Sequence, residues 1–249
     1  MQLSHAKKKW IKSLRSKKFR DEYGVFVAEG EKVIHDILAC GGMPELLVKV
    51  KDKPTGLSHY PLPFFTCSEA DMASISSLMA PPGVLAVFKK WAPAEDILEE
   101  LPPRWLITDG IKDPGNMGTL IRTAHWFGVN AIIALNSSVD EYNPKTVQSS
   151  MGSLGRVPVF HEDAGSFYAR FAGKVSFLGA DLEGKSLYET KPLAEFALII
   201  GSESHGLSEI SKIYLTEKIF IPSHHPENRP ESLNAAVSAG IILSVISIC

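Results

Sequence analysis

Two stretches of the chain alternate apolar runs with amphipathic ones, and a polar segment rich in proline parts them. In the first, residues 4–15 (SHAKKKWIKSLR) predict a basic helix, GVFVAE a strand, and GEKVIHDILACG a helix ended by Gly41 and Gly42. LLVKV, PFFTC and GVLAVFK predict short strands, and SEADMASISSLM a helix opened by a serine cap with acids in its first turn. The result is a small α/β unit that ends near Lys90. The stretch KKWAPAEDILEELPPR, residues 89–104, mixes prolines with charges and has the character of a joint between domains, with a short helix inside it.

Beyond that joint the pattern restarts. WLITDG, AIIAL, VPVF, VSFLGAD, FALIIG and KIFIP are apolar strands separated by helical segments. Such alternation implies a mostly parallel sheet covered on both faces, and in these sheets ligands sit beyond the carboxyl ends of the strands. The expected layout is an α/β protein with residues 1–92 as a first domain, 93–104 as linker and 105–249 as a second domain.

Composition narrows the class. With 249 residues, 45% hydrophobic and 22% charged, the chain has the profile of an ordinary soluble globular protein of one large or two modest domains. No apolar run reaches the roughly 18–20 residues of a spanning helix, so no membrane partner is expected. The start, MQLSHAKKKW, lacks the apolar stretch of a secretory signal, and the expected location is the cytoplasm. Cys40, Cys67 and Cys249 have no CxxC spacing and fit buried small hydrophobes better than a disulfide framework or a zinc site. The net charge of −2 hides an asymmetry, because Lys7, Lys8, Lys9, Lys12, Arg15, Lys17, Lys18 and Arg20 fall within residues 1–20 without one acid. That is a local footprint for a polyanion, although a solvated terminus would carry the same charges.

Three polar loops follow three of the second-domain strands. After WLITDG comes Asp109-Gly110-Ile111-Lys112-Asp113-Pro114-Gly115-Asn116, leading into a helix whose buried stripe is Leu120, Ile121, Ala124 and Phe127. Asn116 falls at the expected cap, and Arg122, about 100° around the helix from Ile121, can leave the core for the strand-end crevice. After FALII comes Gly201-Ser202-Glu203-Ser204-His205-Gly206, whose glycines permit a tight turn and close backbone approach. It is neither a GxGxxG fingerprint nor a P-loop nor a GxSxG elbow. After KIFIP comes a loop with His224 and His225, which lack HxxxH or carboxylate spacing and fit solvated loop residues, so no metal site is expected. The following helix opens with Ser232-Leu233-Asn234 and runs through small residues, Ala235-Ala236-Val237-Ser238-Ala239-Gly240. A Ser232 cap with Leu233, Val237 and Ile241 facing inward would explain it as an amphipathic helix. A ligand or a second subunit approaching the backbone would explain it equally.

Taken in order, DGIKDPGNMGTLIRTAHWFGV, IIGSESHGLS and IPSHHPENRPESLNAAVSAG resemble the three motifs of the SpoU ribose methyltransferases of the SPOUT superfamily, and PKTVQSSMGSLGRVPV resembles the segment between the first two. The amino-terminal KKFRDEYGVFVAEGEKVIHDIL is similar to the small RNA-binding domain, resembling a ribosomal-protein fold, that often precedes the catalytic one. The resemblance implies methyl transfer from S-adenosylmethionine to a ribose 2′-hydroxyl of structured RNA, ribosomal or transfer. It also implies a carboxy-terminal domain with a deep trefoil knot and a homodimer whose active site lies at the subunit interface.

Carried over by motif position, the resemblance gives Asn116, Arg122, Glu203, Ser232 and Asn234 as catalytic and Gly201, Glu203, Ile221, Ser232 and Leu233 as cofactor-binding. The basic residues between Lys7 and Arg20 are then the RNA contacts. The loop His224–Asn228 is longer than in many relatives, and its contacts depart from the pattern. Two other readings compete: a catalytically silent RNA-binding protein of the same fold, and an α/β hydrolase using Ser204 with His224 or His225, against which the elbow spacing argues.

Overall fold

The computed structural model describes residues 1–60, 63–91, 97–228 and 230–247; Cys249 and residues 93–96 of the expected linker lie outside them. In chain order the first elements are α1 (His5–Ser13), α2 (Lys17–Tyr23), β1 (Val25–Glu29), α3 (Glu31–Ala39), β2 (Pro44–Val50), β3 (Phe64–Cys67), α4 (Glu69–Ile75) and β4 (Val84–Lys89). Then come α5 (Ile97–Glu100), β5 (Arg104–Asp109), α6 (Pro114–Trp126), β6 (Ala131–Leu135), α7 (Pro144–Ser149), β7 (Val159–His161) and α8 (Ala164–Phe171). The last are β8 (Phe177–Ser186), β9 (Phe196–Gly201), α9 (Glu209–Tyr214), β10 (Glu217–Phe220) and α10 (Ala235–Ile246).

The chain divides into two units, residues 1–92 with 140–156, and residues 93–139 with 157–249. The segment 140–156 leaves the second unit between β6 and β7, folds with the first, and returns. The expected layout places it in the second domain, since it is contiguous there in sequence.

In the first unit the sheet order is β1-β4-β2-β3, antiparallel except for the β2–β3 pair. Val25 and Val27 of β1 join Leu14, Val48, Leu85 and Val87 in one core cluster. On the other side Phe26 stacks on Phe88 and meets the Tyr142 ring at 4.9 Å. The Tyr142 hydroxyl donates to the Trp91 carbonyl at 2.9 Å. Segment 140–156 thus covers a sheet face that would otherwise meet water, which is why β1 is buried along its whole length.

The basic terminus is two helices, not one. After α1, Ser16 precedes α2, which ends on Gly24 at φ 64°, a left-handed cap that glycine adopts freely. Arg20 corrects its assignment as an RNA contact. It is 1% exposed. Its Nη1 donates to the carbonyls of Leu14 (2.9 Å) and Arg15 (2.8 Å), and its Nη2 donates to Asp140 (2.9 Å). A guanidinium so enclosed holds the α1–α2 turn against segment 140–156 and offers nothing to a phosphate.

In the second unit six strands, all parallel, take the order β10-β8-β9-β5-β6-β7. Around Trp105, Phe167, Tyr168, Phe171 and Phe177 an aromatic cluster fills one face of this sheet. Helices α6 and α10 pack on one another. From β5 the chain steps outward to β6 and β7, then crosses to the other side for β8 and β9, so the direction of winding switches between β5 and β9. That is where strand-end loops diverge and a crevice forms. No helix among the described residues is long and apolar enough to cross a membrane.

Candidate active site

The loop after β5 is fixed by its own chemistry. Pro114 occupies the first turn of α6, and Asp113, not Asn116, is the cap: its Oδ1 accepts the Asn116 N–H at 2.9 Å. The correction matters, because the Asn116 side chain is thereby released from capping. Its Nδ2 donates to Glu203 Oε1, in the loop after β9. Its Oδ1 accepts from Asn234 Nδ2 at 2.9 Å.

Asn234 is in turn the cap of α10, its Oδ1 accepting from the N–H groups of Ala236 (3.0 Å) and Val237 (3.2 Å). Of the two readings of this helix, the one with a Ser232 cap and Leu233 and Val237 facing inward is therefore overturned. Ala235, Ala236, Ala239, Ile242, Leu243 and Ile246 are buried, whereas Leu233 and Val237 are exposed. Beginning the helix two residues later turns the face that meets the core.

The loop after β9 closes on itself, with Ser202 and Gly206 exchanging backbone hydrogen bonds at 3.0 and 2.9 Å. Gly206 sits at φ 64°, and a Cβ on Gly201 would collide with the Gly206 backbone, so each glycine answers a different need. Beneath the loop, the buried Asp109 at the end of β5 accepts from the Ser208 N–H (2.7 Å) and from Asn136 Nδ2 (2.5 Å). Ser208 continues through Ser211 to the buried Tyr168 hydroxyl. Burial, eased by the bond to Ser211, pushes the Tyr168 phenol above its ordinary range, so it stays a neutral donor. The Ser204 hydroxyl shares a 2.7 Å hydrogen bond with its neighbour His205.

Alongside this loop lies a cavity of about 690 Å³, and Gly201, Glu203, Ile221, Ser232 and Leu233 all line it. So do residues without a sequence assignment. Opposite Lys218 and Ile219 of β10, the register of β8 skips from Gly179 to Lys185, and the intervening residues bulge into the cavity wall as Ala180, Asp181, Leu182 and Glu183. Gly184 closes the bulge where a side chain would strike the Lys218 backbone. Lys218 Nζ pairs with Asp181 (3.0 Å) and Glu183 (3.2 Å). Two glycines bracketing a short polar run in an apolar strand were the available signal for this bulge.

Arg122 stands apart from the Asn234–Asn116–Glu203 chain. It is exposed, and among the described residues it has no hydrogen bond or ion pair. In the first unit Lys9 and Lys12 are exposed, Lys8 pairs with Asp71 (2.7 Å), Lys17 with Asp21 (2.6 Å), and Arg15 donates to the Ser74 and Ser76 carbonyls.

Residues 103–244 match the SpoU rRNA Methylase family model. The chain belongs to this SpoU family. Residues 6–86 match a model of an MRM3-like substrate binding domain. Among SpoU relatives, the 23S rRNA (guanosine(2553)-2′-O)-methyltransferase RlmP of Bacillus subtilis is 31% identical over 248 residues, which cover 95% of this chain and 93% of that protein. A solved TrmH-family protein from Porphyromonas gingivalis superposes with a TM-score of 0.83 at 32% identity, covering 98% of both chains. An S-adenosylmethionine-bound rRNA methyltransferase from Sinorhizobium meliloti superposes equally well, at 0.83 and 26% identity, over 98% of this chain and 94% of that one.

Proposed function

We propose that this SpoU-family chain transfers a methyl group from S-adenosylmethionine to a ribose 2′-hydroxyl of structured ribosomal RNA in the cytoplasm. The observation that carries the reading is the hydrogen-bonded chain Asn234–Asn116–Glu203, which joins all three motif loops beside one cavity.

The residues present suit that cofactor. At about 690 Å³ the cavity is in the size range of cofactor sites. Ile200, Leu207, Ile219 and Ile242 give an apolar wall for a base, while Glu203 and Glu231 complement a sulfonium and an ammonium. When bound, S-adenosylmethionine supplies an electrophilic methyl carbon that leaves behind a neutral thioether.

The protein's task is then the hydroxyl. Asn116 and Asn234 fix each other's amides and so present a rigid polar edge that orients the ribose oxygen. Glu203, held by Asn116, borders both the cavity and that edge. The planar Arg122 guanidinium anchors the neighbouring phosphate and stabilises charge developing on the oxygen, with that phosphate relaying the proton.

A homodimer belongs to the same proposal. Trp126, 84% exposed, follows Arg122 by four residues on one face of α6, and Val237 on α10, which packs against α6, is 50% exposed. A second copy covering these groups brings Arg122 to its partner's cavity. The trefoil knot is proposed with it. In its support, the Leu193 N–H donates to the Ile246 carbonyl at 2.9 Å, which lays the approach to β9 across the end of α10.

Incubating the protein with ribosomal RNA and methyl-labelled cofactor, then digesting to nucleosides, tests the reading. A labelled 2′-O-methyl nucleoside is expected; label on a base, or none, would overturn it.

A further inference from the structure

We infer that the first unit carries a stacking site for unpaired nucleobases, built by Trp10, Phe19 and Tyr23 and bordered by lysines. This rests on the RNA-methylating reading above and adds to it the kind of RNA segment that is gripped.

Tyr23 stacks on Phe19 with centroids 6.2 Å apart and planes only 13° from parallel, and Trp10 meets Tyr23 edge-on at 6.2 Å. Trp10 and Phe19 rest on the core cluster and are thereby held in place. Tyr23 does not join that cluster and is 46% exposed. Stacked on Phe19 and met edge-on by Trp10, it is a ring supported from within and open to water.

Cations alternate with the rings. Lys7, three residues before Trp10 on α1, lies 5.0 Å over the Phe65 ring, and Lys18 lies 5.8 Å from the Phe19 ring. Lys9 and Lys12 on α1 are exposed without a hydrogen bond or ion pair among the described residues. No acid occurs before Asp21, and Asp21 itself is held by Lys17 (2.6 Å) and Lys90 (2.5 Å), so its charge is answered locally.

A fixed ring face at Tyr23, with Lys18 5.8 Å from the Phe19 ring and free lysines on the helix that carries Trp10, is what an unstacked base and its phosphates require. Base-on-aromatic stacking tolerates any sequence because every base has a π-face. A paired duplex hides its base faces and would use the lysines alone.

The test uses the whole protein with two probes: a single-stranded RNA oligonucleotide carrying 2-aminopurine, and a blunt RNA duplex of the same length. Tyr23→Ala is expected to weaken single-strand binding roughly tenfold and to abolish the quenching of 2-aminopurine, leaving duplex binding unchanged. Tyr23→Phe should behave as wild type. Lys9→Ala with Lys12→Ala should instead flatten the salt dependence, by about 0.7 per lysine in log–log slope on single strands. Wild-type quenching and affinity in Tyr23→Ala, or equal losses on both probes, would overturn the stacking site. Wild-type methylation of ribosomal RNA, measured in parallel, separates that failure from a failure of the enzymatic reading.

Discussion

The Asn234 amide serves two helices at once: its oxygen caps α10 through Ala236 and Val237, while its nitrogen donates to Asn116 Oδ1 on α6 at 2.9 Å. Helix capping and site geometry are thus one residue's work, and substitutions can divide them. Asn234→Asp keeps a good cap but cannot donate to Asn116, so thermal stability should hold while methyl transfer falls about 100-fold or more. Asn234→Ala should lose both, with about 1 kcal/mol of stability. Paired calorimetry and single-turnover assays decide; an active Asp variant would remove the orienting role.

Asn116→Ala interrupts the same chain without touching a cap, because Asp113 does the capping. Its thermal midpoint should stay near wild type while turnover falls, with cofactor affinity, measured by titration calorimetry, changed little. Undiminished methylation would remove Asn116 from the site.

Arg122 tests the proposal of a site shared between two subunits. Arg122→Lys keeps the charge and loses the planar fork, so turnover should drop much more than RNA affinity. Mixing inactive Arg122→Ala with inactive Glu203→Ala protomers should restore part of the activity, since one mixed dimer site contains both wild-type residues. Two inactive variants that stay inactive on mixing, in a preparation shown by light scattering to exchange subunits, would argue for a site completed within one chain.

Arg20 and Asp140 form a buried pair, so removing either partner leaves a stranded charge. Arg20→Ala or Asp140→Ala is expected to cost about 3–5 kcal/mol, read from denaturant unfolding, whereas replacing both by apolar residues should recover much of the loss. The salt slope of RNA binding in the folded double variant should match wild type, in contrast to lysine substitutions on α1.

Asp181 gives the pH dependence. Burial draws its carboxyl upward, but the Glu183 N–H and Lys218 outweigh that and hold it below the usual carboxylate value. A folded value beneath the unfolded one means that the contribution is present above about pH 4 and is lost as pH falls through the folded value. The thermal midpoint of Asp181→Asn should therefore lie below wild type at pH 7, and the difference should shrink towards pH 3.

Much of this was legible in advance, for identifiable reasons. Strands such as AIIAL and FALII are buried on both faces, and nothing but a covered parallel sheet accommodates them. The three loops could be placed because each directly follows such a run. Asn116 was set at the cap although Asp113-Pro114 is itself a cap signature, aspartate followed by proline in the first turn. At α10 the cap considered from sequence is Ser232 alone, and the bonds to Ala236 and Val237 give that role to Asn234. The bulge of β8 depends on pairing with β10, and the Arg20–Asp140 pair spans 120 positions. Such relations belong to tertiary structure and leave no periodic trace.

The excursion of residues 140–156 also means that the two units share three covalent crossings instead of one. A polypeptide beginning at residue 93 would keep Tyr142 without the Phe26 ring and Asp140 without its guanidinium, a greasy acidic flap dangling between β6 and β7. Neither half is a cassette. Grafting a foreign RNA-binding module onto this catalytic sheet would require transplanting the flap as well, so the two halves are expected to have changed together.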